Sequence, residues 1–537
     1  MALSRIRALA TGAATAVRGI DVLRRAGLVP LTRPDHVLRS MIAVRRLGPI
    51  AGAAAAARDR HAVALVDDLG ALTFDELDRR SNALARAFAE RGVTDRSVVA
   101  LLARDHRGAV ETMLATSKVG ARLLLMNTGF AQPQLVDVAR REGVTVFVHD
   151  QEFGPLADAL PADLPSFIAW TDGACGKTTL EELIAGTDGG PVPMPREPGG
   201  VVLLTSGTTG TPKGAPRQVR SPLAAAQFLD RIPLHAGEAT MIAAPLFHAT
   251  GFSQFVITLA LGSTVVVRRR FDPEGTLRAV QDNRVTALVL VPTMLRRIVD
   301  LGAEVLGRYE TSSLRVIFTA GSALSPELGD RAGRVFGDVI HNLYGSTEVS
   351  VVSVATPEDW RAAPGTVGRA PVGCRVAIYD DDGSVAAPGV RGRIFAGSGL
   401  AFGGYTDGRH KEVVDGLLCT GDVGHFDAEG RLFVDGRDDD MIVSGGENVF
   451  PGEVENLLVA YPGVVEAAVV GVSDVEFGQR LRAFVVVEGG GVTADELRGY
   501  VKDHLARFKV PRDVVFLDEL PRNATGKVLR GRLAELE

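Results

Sequence analysis

The stretch Thr205-Ser-Gly-Thr-Thr-Gly-Thr-Pro-Lys-Gly214 is crowded with glycine and hydroxyl side chains and carries one lysine, Lys213. The apolar run Val201-Val-Leu-Leu204 leads into it and predicts a buried strand. Glycines let several backbone N–H groups turn towards one anion, and the hydroxyls and Lys213 add donors and charge. The stretch lacks the Gly-Lys-Ser/Thr ending of a P-loop, so it predicts a phosphate-binding loop of another kind, with a plain turn as the alternative.

Strand and helix patterns alternate on both sides of this loop. They follow one another over residues 62–150, and the alternation resumes at Val265. This order predicts an α/β fold whose large N-terminal domain is built on doubly wound, mostly parallel sheets. Ligands bind such sheets at the carboxyl ends of the strands, which is where the Thr205 loop falls.

The sequence pattern changes twice further along the chain. Beyond Gly365 short strands between Gly and Asp residues predict a β-rich subdomain, and near Gly436 the pattern changes to a small α+β C-terminal domain. A chain of 537 residues is too long for one ordinary core. We therefore divide it into an N-terminal extension (1–60), a large domain (61–436) and a small domain (437–537).

Composition argues against several classes of protein. The net charge of −6 argues against nucleic acid as the main partner, because proteins of that class usually carry a basic excess. The three cysteines, Cys175, Cys374 and Cys419, have no CxxC spacing, which argues against a zinc site or a disulfide framework and favours the cytoplasm.

Two segments have patterns that are also found in membrane-associated proteins. Residues 1–28 combine arginines with apolar side chains in a basic amphipathic pattern, which is compatible with peripheral association with the inner face of a membrane. A plain surface helix is the simpler alternative. Residues 239–267 carry no formal charge and reach the length of a membrane span, but Pro245 and Gly251 interrupt them. They are interpreted as strand, loop, buried helix and strand.

Four later motifs follow the Thr205 loop in order. They are Tyr344-Gly-Ser-Thr-Glu348, Thr420-Gly-Asp422, the segment from Gly436-Arg-Asp-Asp439 to Ser444-Gly-Gly-Glu447, and Pro521-Arg-Asn-Ala-Thr-Gly-Lys527. The ordered set resembles the acyl-adenylate-forming superfamily of acyl-CoA synthetases, luciferases and peptide-synthetase adenylation domains. Met126-Asn-Thr-Gly-Phe130 and Phe402-Gly-Gly-Tyr405 extend the resemblance to bacterial medium- and long-chain fatty acid–CoA ligases.

The resemblance implies a two-step reaction that uses ATP, Mg²⁺ and CoA. A fatty acid carboxylate attacks the α-phosphorus of ATP to give acyl-AMP and pyrophosphate, and CoA then takes the acyl group and releases AMP. Two anions must meet in the first step, so the site has to supply positive charge.

The resemblance also assigns nucleotide-binding residues. Thr205 and Glu348 are implied to hold Mg²⁺, a cation that prefers oxygen ligands. Tyr344 would stack on adenine, and Asp422 and Arg437 would bind the ribose. The residues implied to bind ATP or AMP are Thr205, Ser206, Gly207, Thr208, Thr209, Gly210, Lys213, Gly321, Ser322, Ala323, Tyr344, Gly345, Ser346, Thr347, Asp422, Arg437 and Lys527.

Catalysis and domain movement are implied in the same way. Lys527 would bridge the attacking carboxylate and the α-phosphate, with Glu348 acting at the metal and Lys213 at the leaving pyrophosphate. Asp439 matches the family's hinge, about which the small domain turns to present a second loop for thioester formation. The residues implied to contact CoA are Ser444, Gly445, Gly446 and Glu447.

The acid pocket is implied to lie along the loop that contains His248. Amino-acid-activating relatives place an Asp at the position of His248, so an amino acid substrate is disfavoured. Apolar neighbours suit an alkyl chain, and His248, Phe252 and Val256 are the predicted pocket residues.

Several alternatives remain open at this point. The chain can be a fatty acyl-AMP ligase that passes its product to a carrier protein, or a non-catalytic acyl or nucleotide binder. Residues 151–200 are interpreted as a connector, and Gly176-Lys-Thr-Thr179 within it matches only the end of a P-loop, so a kinase that uses Lys177 is remote. The oligomeric state is open, a homodimer included.

Overall fold

The computed structural model describes most of the chain. The described ranges are 2–30, 34–205, 212–217, 222–380, 382–438, 440–444, 447–474, 478–489, 491–523 and 526–536.

The described strands and helices alternate through much of the chain. In chain order the strands are Val63–Asp67 (β1), Gly70–Thr73 (β2), Val98–Leu102 (β3), Arg122–Leu125 (β4), Val146–Asp150 (β5), Ser166–Trp170 (β6), Val201–Thr205 (β7), Lys213–Arg217 (β8), Ala239–Ile242 (β9), Thr264–Val266 (β10), Ala287–Leu290 (β11), Val316–Thr319 (β12), Ile340–Tyr344 (β13), Ser353–Ala355 (β14), Arg375–Tyr379 (β15), Gly392–Gly397 (β16), Val413–Val414 (β17), Leu417–Phe426 (β18), Leu432–Arg437 (β19), Ile442–Ser444 (β20), Glu447–Val449 (β21), Val464–Asp474 (β22), Gly478–Val487 (β23) and Asp513–Phe516 (β24). The helices are Ala2–Arg25 (α1), Pro34–Ala55 (α2), Phe74–Glu90 (α3), Arg107–Val119 (α4), Gln132–Glu142 (α5), Gly154–Ala157 (α6), Leu180–Ala185 (α7), Ala226–Leu229 (α8), Ala249–Ala260 (α9), Pro273–Asp282 (α10), Pro292–Val299 (α11), Gly302–Leu306 (α12), Pro326–Phe336 (α13), Pro357–Ala362 (α14), Pro451–Val459 (α15), Ala494–His504 (α16) and Arg530–Ala534 (α17).

Two mostly parallel sheets form the body of the large domain. One has the strand order β14-β13-β12-β11-β9-β10-β1-β2, with the antiparallel strands β2 and β14 at its edges. The other has the order β6-β5-β3-β4-β7-β8, with β8 antiparallel to β7. The predicted α/β class with doubly wound parallel sheets is confirmed.

One hydrophobic core joins the two parallel sheets. Leu65 and Val265 of the first sheet and Leu101 and Leu123 of the second belong to the same buried cluster, which also takes in Phe255 of α9. Packing the two sheets together removes apolar surface of both from water. Because this burial stabilises by roughly 25 cal/mol per Å², it favours the packed arrangement. The shared core therefore holds the two sheets against each other.

The strand and helix boundaries follow local sequence signals. Helix α3 begins after Thr73, whose hydroxyl accepts the Glu76 N–H while the Glu76 carboxylate accepts the Thr73 N–H, a complete capping box. Apolar runs and helical spacing in the sequence predict strands at Val98–Leu102 and Val316–Thr319 and helices at Gln132–Glu142 and Pro326–Phe336, and β3, β12, α5 and α13 have these bounds. The stretch 239–267 is strand, loop, helix and strand, as predicted, and no described helix is both long and apolar enough to cross a membrane.

The interpretation of residues 151–200 as a connector is wrong. Strand β6 lies within it and extends the second sheet beside β5, and helix α7 follows. Short flanking runs of Pro, Gly and Asp concealed a strand whose burial comes from its pairing with β5. Thr179 caps α7 and Lys177 Nζ lies 3.5 Å from Asp158 Oδ1, so the Gly-Lys-Thr-Thr motif is a loop that leads into a helix.

Two further sheets complete the described fold. Strands β15 to β19 form an antiparallel sheet, the predicted β-rich subdomain. Strands β20 to β24 form the sheet of the C-terminal part, where β24 runs parallel to β23 and helices α15 and α16 cover one face. Ahead of the large domain, α1 and α2 pack on the shared core through Val22, Leu23 and Ile50.

Candidate active site

A cavity of about 300 Å³ lies where the large domain, the antiparallel sheet and the C-terminal part meet. Residues from segments hundreds of positions apart border it. The predicted site residues that line this cavity are Lys213, His248, Gly321, Gly345, Ser346, Thr347, Glu348, Arg437 and Lys527.

The β7–β8 hairpin brings Lys213 to the end of the cavity where phosphates are predicted to bind. Thr205 at the end of β7 pairs in register with Lys213 at the start of β8. This pairing places Lys213 beside the predicted phosphate loop, because the two strand ends flank that loop. Ser206, Gly207, Thr208, Thr209 and Gly210 lie outside the described residues, as does the side chain of Thr205.

A tight turn after β13 carries Glu348 to the cavity. A side chain at Gly345 would put its Cβ 1.9 Å from the Ser350 carbonyl oxygen, so only glycine fits there. Ser350 has φ 74°, a conformation that costs a non-glycine residue free energy. The Ser346 hydroxyl accepts the Glu348 N–H at 3.2 Å and fixes the start of the turn.

Tyr405 links the two charged residues at this end. Its hydroxyl donates to Glu348 Oε1 at 2.5 Å, and the Lys213 ammonium lies 5.2 Å from its ring centroid. Burial and the Glu348 carboxylate raise the pKa of Tyr405, which therefore stays protonated as a donor. Tyr405 belongs to the Phe402-Gly-Gly-Tyr405 stretch that carries the family resemblance. Its contact with Glu348 spans 57 positions, so no local sequence pattern predicted a role for it.

The donors around Glu348 fit a magnesium ion bound together with nucleotide phosphates. Mg²⁺ usually takes one or two protein carboxylates and completes its shell with phosphate oxygens and water. Glu348 supplies one carboxylate at the cavity wall, beside the hydroxyl-bearing Ser346 and Thr347. In the described part of the chain no three acidic, His or Cys side chains cluster as a self-sufficient metal site.

The predicted ribose-binding residues meet on neighbouring strands. Asp422 of β18 pairs in register with Arg437 of β19, and Arg437 Nη1 lies 3.6 Å from Asp422 Oδ1. The Tyr344 hydroxyl donates to Asp422 Oδ2 at 2.5 Å. Burial raises the pKa of Asp422, and burial beside the Asp422 carboxylate raises that of Tyr344. Asp422 therefore lies in a strand rather than in the turn that its residue type suggests.

A lysine that the sequence comparison did not single out also borders this end. Lys411 lines the cavity, and a Cβ at Gly421 would lie 3.6 Å from its ammonium and 3.3 Å from Arg437 Nη2. The charges of Arg437, Lys411 and Lys527 all act to lower the pKa of Asp422, against the effect of burial. Arg437, Lys411 and Lys527 all border the cavity, a concentration of positive charge suited to a polyanion. Lys411 precedes β17 in an exposed loop without a recognisable motif, so no sequence signal marked it.

The C-terminal part is docked so that Lys527 reaches the cavity. Gly526 has φ 78°, and a Cβ there would lie 2.4 Å from the hydroxyl of Thr293 on α11. Nearby, Arg296 of α11 donates to the Val465 carbonyl at 3.0 Å. The loop itself is closed by the Asn523 side chain, which accepts the Lys527 N–H at 2.9 Å.

Apolar side chains lie beside His248 in the cavity wall, where the acid is predicted to bind. Phe228, Val291 and Phe318 border it together with His248. His248 Nε2 is buried without a hydrogen-bond partner among the described residues, and burial lowers the pKa of His248 to about 4. The imidazole is therefore neutral near pH 7.

Some predicted residues do not border the cavity. Phe252 and Val256 lie on α9 in or against the shared core, and Ser322 and Ala323 are exposed after β12. Ser444 is buried at the end of β20, away from the cavity lining. Of the other CoA and hinge predictions, Gly445, Gly446 and Asp439 lie outside the described residues, as does the Glu447 side chain. All these assignments stay predictions.

Comparison with known proteins agrees with this arrangement. The sequence matches the family described as AMP-binding enzyme over residues 52–406, and the AMP-binding enzyme C-terminal domain over residues 453–527.

The chain belongs to the family of AMP-binding enzymes.

Relatives of this AMP-binding enzyme extend over almost its whole length. It is 34% identical to the indoleacetate–CoA ligase of Aromatoleum aromaticum, with 87% of this chain and 93% of the relative covered. It is 31% identical to the fatty acid–[acyl-carrier-protein] ligase ScoC of Streptomyces coeruleorubidus, with 86% and 91% covered. The o-succinylbenzoate CoA synthetase of Bacillus subtilis, solved with its acyl-adenylate intermediate, superposes with a TM-score of 0.79 at 27% identity, covering 92% of this chain and 98% of that one.

These relationships identify an AMP-forming acid–thiol ligase in the broad sense, with ATP and CoA as its co-substrates. The named relatives act on different acids, so membership of the family leaves the acid open.

Proposed function

We propose that this AMP-binding enzyme converts a lipophilic carboxylic acid, first of all a medium- or long-chain fatty acid, into its CoA thioester through an acyl-adenylate. One observation carries the proposal. A single cavity is bordered by Lys213 and Glu348 at its phosphate end, by an apolar wall at its acid end, and by Lys527 from the C-terminal part.

The proposed roles follow from this geometry. ATP lies with its phosphates towards Lys213 and its ribose towards Asp422, and the acid enters beside the neutral His248. Lys527 then lies where a cation can neutralise both the attacking carboxylate and the α-phosphate, which lowers the barrier by bringing two anions together. The bond that forms joins a carboxylate oxygen to the α-phosphorus, and pyrophosphate leaves.

Glu348 would hold Mg²⁺ with the nucleotide, and the Thr205 hydroxyl is proposed as a second ligand. When bound, the ion offsets charge on the leaving phosphates. Tyr405 holds the Glu348 carboxylate in place with its 2.5 Å hydrogen bond. The domain boundaries, the hinge at Asp439 and the CoA loop belong to the same proposal, in which the small domain turns after adenylation.

An aryl acid is the second candidate substrate. Phe228 and Phe318 line the acid end, and aromatic side chains stack favourably on aromatic ligands. The relatives that act on indoleacetate and o-succinylbenzoate support this candidate, whereas the fatty acid ligase ScoC supports the first. Because ScoC is a ligase for an acyl-carrier protein, a carrier protein remains the alternative acceptor of the acyl group.

Pyrophosphate release with a panel of acids, each with and without CoA, tests the proposal. Fatty acids of graded chain length and aryl acids such as indoleacetate form the two arms of the panel. Thioester product with an acid from one arm identifies the substrate class. Pyrophosphate without thioester favours a carrier protein as acceptor, and no pyrophosphate with any acid contradicts the enzymatic function.

Lys527→Ala should abolish most of the first half-reaction. Loss of a cation placed at the developing charge costs on the order of 100-fold or more in rate. We expect acyl-AMP formation to fall by that factor, while thioester formation from supplied acyl-AMP continues. Lys502→Ala, which changes an exposed lysine of the same domain, is the matched control. Equal loss of both half-reactions would contradict the role given to Lys527.

A further inference from the structure

The two N-terminal helices expose large apolar side chains on the faces that point away from the protein. On α1, Val22 and Leu23 are buried in the shared core, whereas Val17 is 68% exposed and Ile20 is 47% exposed. Positions 17, 20 and 24 lie on one side of a helix, so Val17 and Ile20 form a stripe that ends at Arg24.

The part of α2 before Gly48, where the backbone leaves the helical conformation, repeats this arrangement. Ala43 and Leu47 are buried, while Leu38, Met41 and Ile42 are 59%, 49% and 48% exposed. Their spacing of i, i+3 and i+4 places them on one face, and Arg45 continues the same stripe. Among the described residues, five of the fifteen large apolar side chains that are strongly exposed lie on these two helices.

The N-terminal segment is also strongly basic. Residues 1–60 contain eleven arginines, no lysine and three aspartates, a formal charge of +8. The whole chain carries −6, so the other 477 residues carry −14. Such a charge asymmetry between parts of one chain is typical of a segment that binds an anionic surface.

Exposed apolar and basic groups together restrict what can cover these faces. A helix on a protein surface usually turns polar residues to the solvent, so two outward apolar stripes need a partner. A nucleic acid would use the arginines but gain little from Leu38 or Met41. An anionic lipid bilayer takes both, because apolar side chains enter the acyl boundary while arginines contact phosphate headgroups.

We propose that the outward stripes of α1 and α2, formed by Val17, Ile20, Leu38, Met41 and Ile42 with their flanking arginines, are a docking surface for an anionic bilayer. This docking surface lies on the membrane and does not cross it, in keeping with the absence of a spanning helix from the described residues. Arg45 lies within the stripe of α2, and Arg24 and Arg25 end α1.

The docking surface is connected to the acid end of the cavity. Helix α2 packs directly against α9, and Thr250 and Ser253 of α9 line the cavity. A lipophilic acid dissolved in the bilayer would therefore lie near its site, a consequence that rests on the proposed function. The docking surface itself does not depend on that function.

Co-sedimentation of the full chain with lipid vesicles tests the proposal. We expect binding to vesicles of phosphatidylcholine mixed with phosphatidylglycerol, weakened by salt, and little binding to phosphatidylcholine alone. The triple variant Ile20→Gln, Met41→Gln, Ile42→Gln should bind about tenfold more weakly, because its arginines remain but its apolar contacts are lost. Ile20→Gln alone should show a smaller loss and serves if the triple variant unfolds.

The matched control removes exposed apolar side chains elsewhere. Val385 and Val413 are 69% and 57% exposed on the antiparallel sheet, and Val385→Gln with Val413→Gln should leave vesicle binding unchanged. Wild-type protein that ignores both vesicle types, or a triple variant that binds as well as wild type, overturns the proposal. A dimer that the triple variant dissociates, seen by light scattering without vesicle binding, would assign the surface to a second copy. Vesicle binding does not require catalysis, so its failure is separate from failure of the proposed ligase.

Discussion

At the scale of single residues, the cavity joins hydroxyls, carboxylates and cations that are ordinary when taken alone. Glu348 and Asp422 become distinctive through Tyr405 and Tyr344, whose hydroxyls donate to them at 2.5 Å. Charge-assisted hydrogen bonds of this kind are stronger than neutral ones and fix the direction of a carboxylate. The two phenols therefore orient the carboxylates of Glu348 and Asp422, and this orientation could not be predicted from the sequence.

Tyr405→Phe should weaken the use of Mg²⁺ and ATP without unfolding the protein. The substitution removes the donor to Glu348 but keeps the ring beside Lys213. A hydrogen bond to a charged group contributes about 1.5 to 3 kcal/mol, so we expect acyl-AMP formation to fall about 10- to 100-fold at low Mg²⁺. A raised Mg²⁺ requirement measured by pyrophosphate release would support this role. Tyr379→Phe, which removes a phenol donor to Asp415 in the turn between β17 and β18, is the control.

Lys411→Gln should raise the KM for ATP. Its ammonium borders the cavity together with Arg437 and Lys527, and their charges lower the pKa of Asp422. Loss of the Lys411 charge should raise the KM for ATP about tenfold. Lys411→Arg should recover most of the affinity, because it keeps the positive charge. An unchanged KM for ATP in Lys411→Gln would exclude this lysine from the nucleotide site.

At the scale of elements, the site depends on where strands end and on how one loop is docked. The hairpin of β7 and β8 determines the position of Lys213, and the turn after β13 determines the position of Glu348. Lys527 lies in a loop of the C-terminal part, not at the end of a strand of the large domain. Its position depends on the close approach of Gly526 to Thr293.

Gly526→Ala should move Lys527 away from the cavity. The new Cβ would lie 2.4 Å from the Thr293 hydroxyl, and the φ of 78° adds strain. We expect adenylation to fall more than thioester formation from supplied acyl-AMP, since in the proposed function this docking serves only adenylation. Gly489→Ala is the matched control, because it has φ 73° but no atom within 4 Å of the added Cβ. Thr293→Ala should partly restore the Gly526→Ala variant, and equal effects of the two glycine substitutions would contradict the docking role.

At the scale of the whole molecule, buried histidines connect stability to pH. Burial lowers the pKa of His248 and of His341 to about 4, against 6.5 for an ordinary histidine. Each group binds its proton less readily in the folded state than in the unfolded chain. The stability that depends on neutral histidine is therefore complete above pH 6.5 and is lost as the pH falls towards 4.

His248→Gln should make the free energy of unfolding less sensitive to acid. Between pH 7 and pH 5, one such histidine costs the wild type about 2 kcal/mol that the variant does not lose. Urea unfolding at both pH values measures this difference. Asp105, whose pKa burial raises to about 7, acts in the opposite sense in both proteins, so the comparison with the variant isolates the histidine. Equal changes in the two proteins would contradict the pKa shift of His248.

The sequence by itself determined the parallel sheets, the order of the motifs and the family, because these depend on short periodic patterns and local turn chemistry. It determined β3, α5 and β12 to the residue. It failed for β6, whose few residues become a strand only through pairing with β5.

Only the tertiary structure decided which residues share the cavity. Lys411 enters it from a loop without a local pattern, and Tyr405 acquires its contact with Glu348 only through folding. Phe252 and Val256 turn into the core although their residue types suit an acid pocket. Lys213 and Lys527 lie more than three hundred positions apart, and packing of the C-terminal part on α11 brings Lys527 to the cavity that Lys213 also borders. Residue patterns encode the faces of single elements, whereas proximity between distant segments depends on how those faces pack.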